Sequence, residues 1–144
     1  DYPLVLCTVR EVGHYSCRSM TGNCAALQSL ADEPGRVQIN PADADERGIA
    51  EGQLVWVRSR RGKVITRASI SERINAGAIY MTYQWWIGAC NELTQDNLDP
   101  ISRTPETKYC AVQLEAIEDQ RRAEDFAASS YQTMKTRLIA AVNV

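Results

Sequence analysis

Two arginines, Arg10 and Arg18, stand in one polar stretch, Thr8-Val9-Arg10-Glu11-Val12-Gly13-His14-Tyr15-Ser16-Cys17-Arg18-Ser19-Met20-Thr21-Gly22-Asn23, which contains two glycines and no regular apolar period. A guanidinium carries a fixed charge and a fork of N–H donors that matches phosphate oxygens in pairs. Thr8, Ser16, Ser19 and Thr21 add hydroxyls, while Gly13 and Gly22 let the main chain approach a ligand closely. This composition suits a cradle for a phosphate or a heterocycle. The alternative is a solvated loop whose hydroxyls satisfy its own turns. His14, the chain's one histidine, could serve as a base or hydrogen-bond a ligand or the loop. No Ser-His-Asp arrangement is recognisable and no nucleophile can be named, so hydrogen bonding is the expected role and no catalytic residue is assigned.

A second group lies in Gln84-Trp85-Trp86 with Asn91, Thr94 and Asn97. Adjacent tryptophans in a stretch without periodicity fit poorly into a plain core, because each indole N–H wants a partner. Amides offer donor and acceptor together, as the edge of a heterocycle requires. Alternatively, one tryptophan is core and the other covers an end of the fold. Lys108, just before the last apolar stretch, reads as a solvated cation unless the fold brings it beside the other two segments.

The 144 residues suit one domain with an ordinary core, and a net charge of −2 argues against general nucleic-acid binding. Any anion site must therefore be local. Cys7, Cys17, Cys24, Cys90 and Cys110 are odd in number and lack C-x-x-C spacing. That speaks against a disulfide framework and a zinc site, and for a reducing, cytoplasmic setting. No apolar run approaches the roughly 18–20 residues that span a bilayer. Asp1-Tyr2-Pro3 has no signal-peptide pattern and reads as chain entering a strand from upstream polypeptide.

The positioning elements follow from period and punctuation. Strands are expected at 4–9, 37–39, 53–59, 64–70, 78–81 and 109–115, with a hairpin tip at Arg60-Arg61-Gly62-Lys63. A short helix is expected from Cys24 to Leu30, capped by Thr21 or Asn23. Another starts at Asn40-Pro41, favoured by Asp43 and Asp45 and ended by Gly48. Residues 82–110 read as irregular. From Glu118 to Val142 a charged helix places Ala123, Phe126, Ala127, Tyr131, Met134 and Leu138 on one face, expected to pack on the rest of the domain. Many short strands, short helical inserts and one terminal helix predict a mainly β protein built on a small barrel.

Several segments also carry a family resemblance. They are Val9 to Asn23; Ile39-Asn40-Pro41-Ala42-Asp43-Ala44 through Gly48-Ile49, Gly52 and Leu54-Val55-Trp56-Val57; Gly88-Ala89-Cys90-Asn91-Glu92-Leu93-Thr94; and Asp99-Pro100 with Lys108-Tyr109. In this order, across residues 2–140, they resemble the C-terminal molybdopterin-dinucleotide-binding domain of formate dehydrogenases of the H type, in the dimethyl-sulfoxide-reductase family. The resemblance implies a double-psi β-barrel (the aspartate-decarboxylase-like barrel) over residues 1–144, as a C-terminal piece of a larger oxidoreductase that converts formate to carbon dioxide. It implies a bis(molybdopterin guanine dinucleotide) cofactor with molybdenum or tungsten, shared with upstream domains of the same polypeptide. Those domains would hold the cysteine or selenocysteine ligand and any iron–sulfur cluster, and separate electron-transfer subunits could join them. It further implies that Thr8, Arg10, Gly13, His14, Tyr15, Ser16 and Arg18 lie against a pterin and its phosphates. Gln84, Trp85, Asn91, Asn97, Lys108 and Tyr109 would contact the cofactor from the other segments. Competing readings are a free-standing barrel for protein or peptide recognition, and the same domain in another oxidoreductase such as a nitrate reductase. A self-processing decarboxylase of related shape needs a Gly-Ser pair, which the chain lacks.

Overall fold

A computed structural model describes residues 1–30 and 33–142. Six strands form the fold: β1 (Leu4–Val9), β2 (Arg36–Ile39), β3 (Leu54–Arg58), β4 (Lys63–Ile70), β5 (Ala78–Thr82) and β6 (Tyr109–Ala116). They close into a barrel in the order β1-β5-β2-β4-β3-β6. The pairs β1–β5 and β2–β4 are parallel and the other four antiparallel. Parallel neighbours need crossover connections, so consecutive strands are mostly not neighbours. Closure leaves no free sheet edge. This barrel, with helical inserts and a C-terminal helix, is the double-psi class expected from the sequence.

Alternation decides what lies inside. Leu4 and Leu6, Val37 and Ile39, Val55 and Val57, Val64 and Ala68, Ile79 and Met81, and Cys110, Val112 and Leu114 all point into one buried cluster. Each set recurs at every second or fourth residue, as one face of a pleated strand requires. Cys90, from a 3-10 turn at Cys90–Glu92, joins the same core, and burial, with Cys110 nearby, pushes its thiol up to about 12. It behaves as a small apolar side chain. Cys7, Cys17, Cys24, Cys90 and Cys110 are all free thiols.

Three helices accompany the barrel. α1 spans Ala25–Leu30, one residue later than expected. Neither expected cap serves it: the Thr21 hydroxyl binds Tyr15 N and His14 Nδ1, and Asn23 Nδ2 donates to the Ser19 carbonyl. Both residues lie instead in a 3-10 turn, Thr21–Asn23, whose side chains face back into the preceding loop. α2 (Pro41–Glu46) starts as the sequence indicates, with Asn40 Oδ1 accepting from Ala42 N at 2.9 Å and Gly48 left-handed after its end. α3 (Gln120–Val142) covers the outside of β3 and β4. Ala123 and Ala127 are buried on Leu54 and Ile65, Phe126 meets the Trp56 ring at 5.8 Å, and Tyr131 lies 6.1 Å from Trp86. Gln120 pins its start, accepting from Leu54 N at 2.7 Å and donating to Leu54 O at 2.9 Å. Arg67 and Glu124 add a two-bond ion pair. The face thus packs on the barrel through Ala123, Phe126 and Ala127, as expected, and reaches the tryptophan turn through Tyr131; the side chain of Leu138 lies outside the described residues. Among the described residues no helix is long and apolar enough to cross a membrane.

The irregular stretch between β5 and β6 is pinned to β4 at Gly88. Its φ is +77°, and a Cβ there would stand 2.5 Å from the Ile65 carbonyl oxygen. Gly88→Ala is therefore expected to cost roughly 2–4 kcal/mol, combining a left-handed backbone with overpacking. Denaturant unfolding measures it, and a loss below 1 kcal/mol, at about the size of an ordinary surface change, would contradict the close approach.

Candidate functional site

The two segments singled out by composition meet. The loop after β1 lies against the turn after β5, and both meet Glu33, just before β2. The loop holds left-handed backbone at Gly13 (φ +109°), Ser16 (φ +49°) and Arg18 (φ +65°). Such conformations cost non-glycine residues roughly 1–2 kcal/mol each, so other contacts must hold them.

Gln84 supplies several of those contacts. Its buried amide donates to the His14 carbonyl at 2.7 Å and accepts from Glu11 N at 2.6 Å and Thr82 Oγ1 at 2.9 Å. The amide is thus occupied by the loop's own backbone. Arg18 supplies the rest. Its Nε donates to the Gln84 carbonyl at 2.6 Å, and Nη2 pairs with a Glu33 carboxylate oxygen. The guanidinium lies 4.4 Å from the Trp85 ring and 4.8 Å from Trp86. Glu33 in turn accepts from the main-chain N–H groups of Trp86 and Ile87, each at 3.0 Å. The Arg18 and Glu33 side chains are only 1% and 3% exposed. Removing one member of such a pair leaves an uncompensated buried charge, at a cost of roughly 3–5 kcal/mol.

The resemblance places Arg18 against a pterin and its phosphates; in the structure its guanidinium faces inward, onto Glu33 and the tryptophans. Arg10 is the loop arginine that stays exposed. Its Nε donates to the Tyr83 hydroxyl at 2.9 Å, a neutral partner, and it lies 5.6 Å from that ring. Gly13 faces open space, with nothing within 4 Å of an added Cβ. Tyr15 and Ser16 are exposed beside it. His14 is buried, its Nδ1 3.0 Å from Thr21 Oγ1 and its ring 5.3 Å from Trp85 in an edge-to-face arrangement. His14 Nε2, Trp85 Nε1 and Gln28 Nε2 are buried without a hydrogen-bond partner. Unsatisfied buried polar atoms are costly and uncommon in folded proteins.

The third segment joins from the side. Thr8 N donates to the Lys108 carbonyl at 2.9 Å, and Thr8 Oγ1 to the Thr107 carbonyl at 2.8 Å. Lys108 and Tyr109 are exposed next to the end of β1. Asn97 is tied into this ladder by its carbonyl, which accepts from Glu106 N at 3.0 Å. Asn91 bonds within its own turn, through Thr94 and Cys90. The fold therefore brings Thr8, Arg10, Gly13, His14, Gln84, Trp85 and Lys108 to one end of β1 and β5, and leaves Asn91 in a separate turn.

Sequence reasoning missed Glu33, Tyr83, Gln28 and the reason for Gly35. Gly35 is legible as a turn residue, but its real constraint is the Trp85 indole, which occupies the place a Cβ would take. Glu33 carries no signal, since nothing in its surroundings couples it to an arginine fifteen residues earlier. Glu11, half buried in the loop, has its carboxyl pushed up by burial, with Arg36 opposing the shift. Among the described residues no group of three or more His, Cys, Asp or Glu side chains is placed to hold a metal ion.

The closed barrel and its loop platform define a ligand-binding β-barrel domain, with an exposed arginine and a glycine-opened backbone. The chain belongs to the molydopterin dinucleotide binding domain family, whose model matches residues 4–111. It is 67% identical over 138 residues to formate dehydrogenase H of Escherichia coli, covering 96% of this chain and 19% of that protein. It is 41% identical over 117 residues to the F420-dependent formate dehydrogenase 2 subunit alpha of Methanococcus maripaludis, covering 81% of this chain and 17% of the other. A periplasmic nitrate reductase of Desulfovibrio desulfuricans is 35% identical over 114 residues, with 79% and 15% covered. The chain thus spans about a fifth or less of these relatives' lengths. Among solved structures, acetylene hydratase from Pelobacter acetylenicus shares the fold, with a TM-score of 0.66 at 18% identity over 81% of this chain and 18% of that one.

Two outcomes test this geometry. Gly35→Ala must expel Trp85, so it should cost roughly 1–3 kcal/mol or more and change the tryptophan emission; an unaltered spectrum would contradict the contact. The raised Glu11 carboxyl means the folded state binds its proton more tightly. Its contribution is present below the unfolded value near 4.5 and is lost as pH rises through the folded value. Glu11→Gln should therefore raise the melting temperature at pH 7 and leave it nearly unchanged at pH 4.

Proposed function

We propose that this chain is the C-terminal cofactor-binding domain of a formate dehydrogenase. It would hold one side of a bis(molybdopterin guanine dinucleotide) that carries molybdenum or tungsten. The observation that carries the reading is the loop platform itself, in a chain 67% identical to formate dehydrogenase H. An exposed arginine and an open glycine stand beside buried His14 and Trp85, each with a ring nitrogen lacking a partner. That donor set fits the group: pyrophosphates favour a guanidinium and main-chain N–H groups, while pterin and guanine edges favour ring N–H donors and aromatic walls. Thr8, Arg10, Gly13, His14, Tyr15, Ser16, Trp85, Asn97, Lys108 and Tyr109 would line it, with Asn91 reaching it from the separate turn. The cofactor, when bound, supplies the redox chemistry through its metal; the chain supplies position and electrostatics.

In this reading the catalytic residues, the protein ligand to the metal and any iron–sulfur cluster belong to other parts of a longer polypeptide. Exposed apolar side chains support such a neighbour. Val12, Tyr15 and Met20 on the loop, with Leu98 and Ile101 before β6, are large and uncovered. Apolar residues gathered on exposed loops mark surfaces that something covers. Electron-transfer subunits would be further partners, and a cytoplasmic setting accords with the free exposed thiols of Cys17 and Cys24. Formate is favoured over nitrate as substrate by the higher identity to the formate enzymes.

Purifying the native gene product and measuring metal, pterin and formate-dependent dye reduction tests the proposal. Formate oxidation by a molybdenum- or tungsten-loaded polypeptide is expected; a product without pterin would overturn it. Arg10→Ala should lower metal content per polypeptide by roughly 10-fold or more, the loss of a charge-assisted bond, with little change in melting temperature because Arg10 is exposed.

A further inference from the structure

We propose that Arg18 is a positioning residue rather than a cofactor ligand: its buried guanidinium locks the loop after β1 onto the turn Gln84–Ile87 and so sets where His14 and Trp85 stand. The inference rests on the cofactor-binding reading above and goes beyond it by dividing the two loop arginines into different tasks.

The guanidinium has no open face. One edge donates to the Gln84 carbonyl at 2.6 Å, another pairs with Glu33, and Nη1 reaches Gln28 Oε1 at 3.5 Å. Its Cζ lies 4.4 Å from the Trp85 ring centre and 4.8 Å from that of Trp86. A phosphate could reach it only by displacing Glu33, whose carboxylate simultaneously accepts from Trp86 N and Ile87 N. Phosphate and carboxylate would then repel across the same cation. With its charge already balanced, Arg18 has little attraction left for an anion. Arg10, by contrast, is exposed and bonds a neutral phenol, so its charge is available.

What Arg18 does command is shape. Its own backbone is left-handed at φ +65°, an uncommon conformation for a residue other than glycine, and the bonds of its side chain help to hold it. Four residues before it, His14 gives its carbonyl to Gln84 Nε2, and its ring meets the edge of Trp85. The arginine, both tryptophans and the histidine therefore form one contact cluster, with Glu33 bonded to Arg18 and to the main chain of Trp86 and Ile87. Trp85 touches both the guanidinium and the His14 ring, so displacing Arg18 is expected to disturb the placement of both rings.

The test uses the native polypeptide that carries this chain, with Arg18→Lys, Glu33→Gln, the double variant and Arg10→Ala. Lysine keeps the charge but cannot fill the planar fork between two indoles. Arg18→Lys and Glu33→Gln should each lower pterin content by about 10-fold, the usual size of losing a supporting contact. The double variant should lose no more than either alone, because both remove the same lock. Tryptophan emission should shift in Arg18→Lys and Glu33→Gln but not in Arg10→Ala. Salt should speed cofactor loss from the unaltered protein, and this salt dependence should weaken in Arg10→Ala but persist in Arg18→Lys, since a buried pair is screened far less than an exposed contact. Unchanged or raised pterin in Glu33→Gln, as expected if that change frees Arg18 for phosphate, would overturn the inference while leaving the cofactor reading intact. An unaltered native protein without pterin would overturn both.

Discussion

A guanidinium withdrawn from water must have its charge balanced and its donors filled, and much of the candidate site follows from how Arg18 meets that demand. Glu33 balances the charge, the Gln84 carbonyl takes Nε, and two indoles cover the plane. To satisfy these conditions together, the loop after β1 must come down onto the turn after β5, and the chain leading into β2 must bring Glu33 alongside. Gly35 then has to be a glycine because Trp85 fills the space beside it. Left-handed backbone within the loop is tolerated because these contacts are strong enough to hold it.

The barrel makes this arrangement possible by fixing where the segments begin. β1 and β5 are parallel neighbours, with Val9 opposite Thr82, so the chain leaves both strands at the same end. The loop and the tryptophan turn are seventy residues apart in sequence, yet start a strand spacing apart. The antiparallel pair β1–β6 sets Cys7 opposite Tyr109 and delivers Lys108 to the same end. The other pairings serve closure, and α3 seals the outer face of β3 and β4 with Ala123 and Ala127. A rigid barrel carrying a folded loop is a sound base for holding a large cofactor, since position is most precise when the support is stiff.

The distribution of polarity on that platform accords with a shared site. The loop after β1 carries both a buried ring nitrogen without a partner among the described residues, His14 Nε2, and uncovered apolar side chains. Such a surface suits a domain that contributes one wall of a cofactor cleft. It also accords with a chain spanning a small fraction of its relatives' lengths.

The elements were legible in sequence because local rules govern them. Alternation in Val55-Trp56-Val57 and Val112-Gln113-Leu114, the Asn40-Pro41 start and the turn glycines each act over a few residues, and so were the loop and the paired tryptophans as candidates. What Thr21, Asn23 and Gln84 would do was not legible: the first two bind within the loop rather than cap a helix, and the amide of Gln84 holds main chain. Residue types by themselves determined that this protein is a small β-barrel with an anion-suited loop and an aromatic turn. Only the tertiary structure decided that Arg10 faces outward while Arg18 faces Glu33. The two arginines are alike in sequence, and the choice depends on burial and on a carboxylate brought in by strand order, which no local pattern encodes.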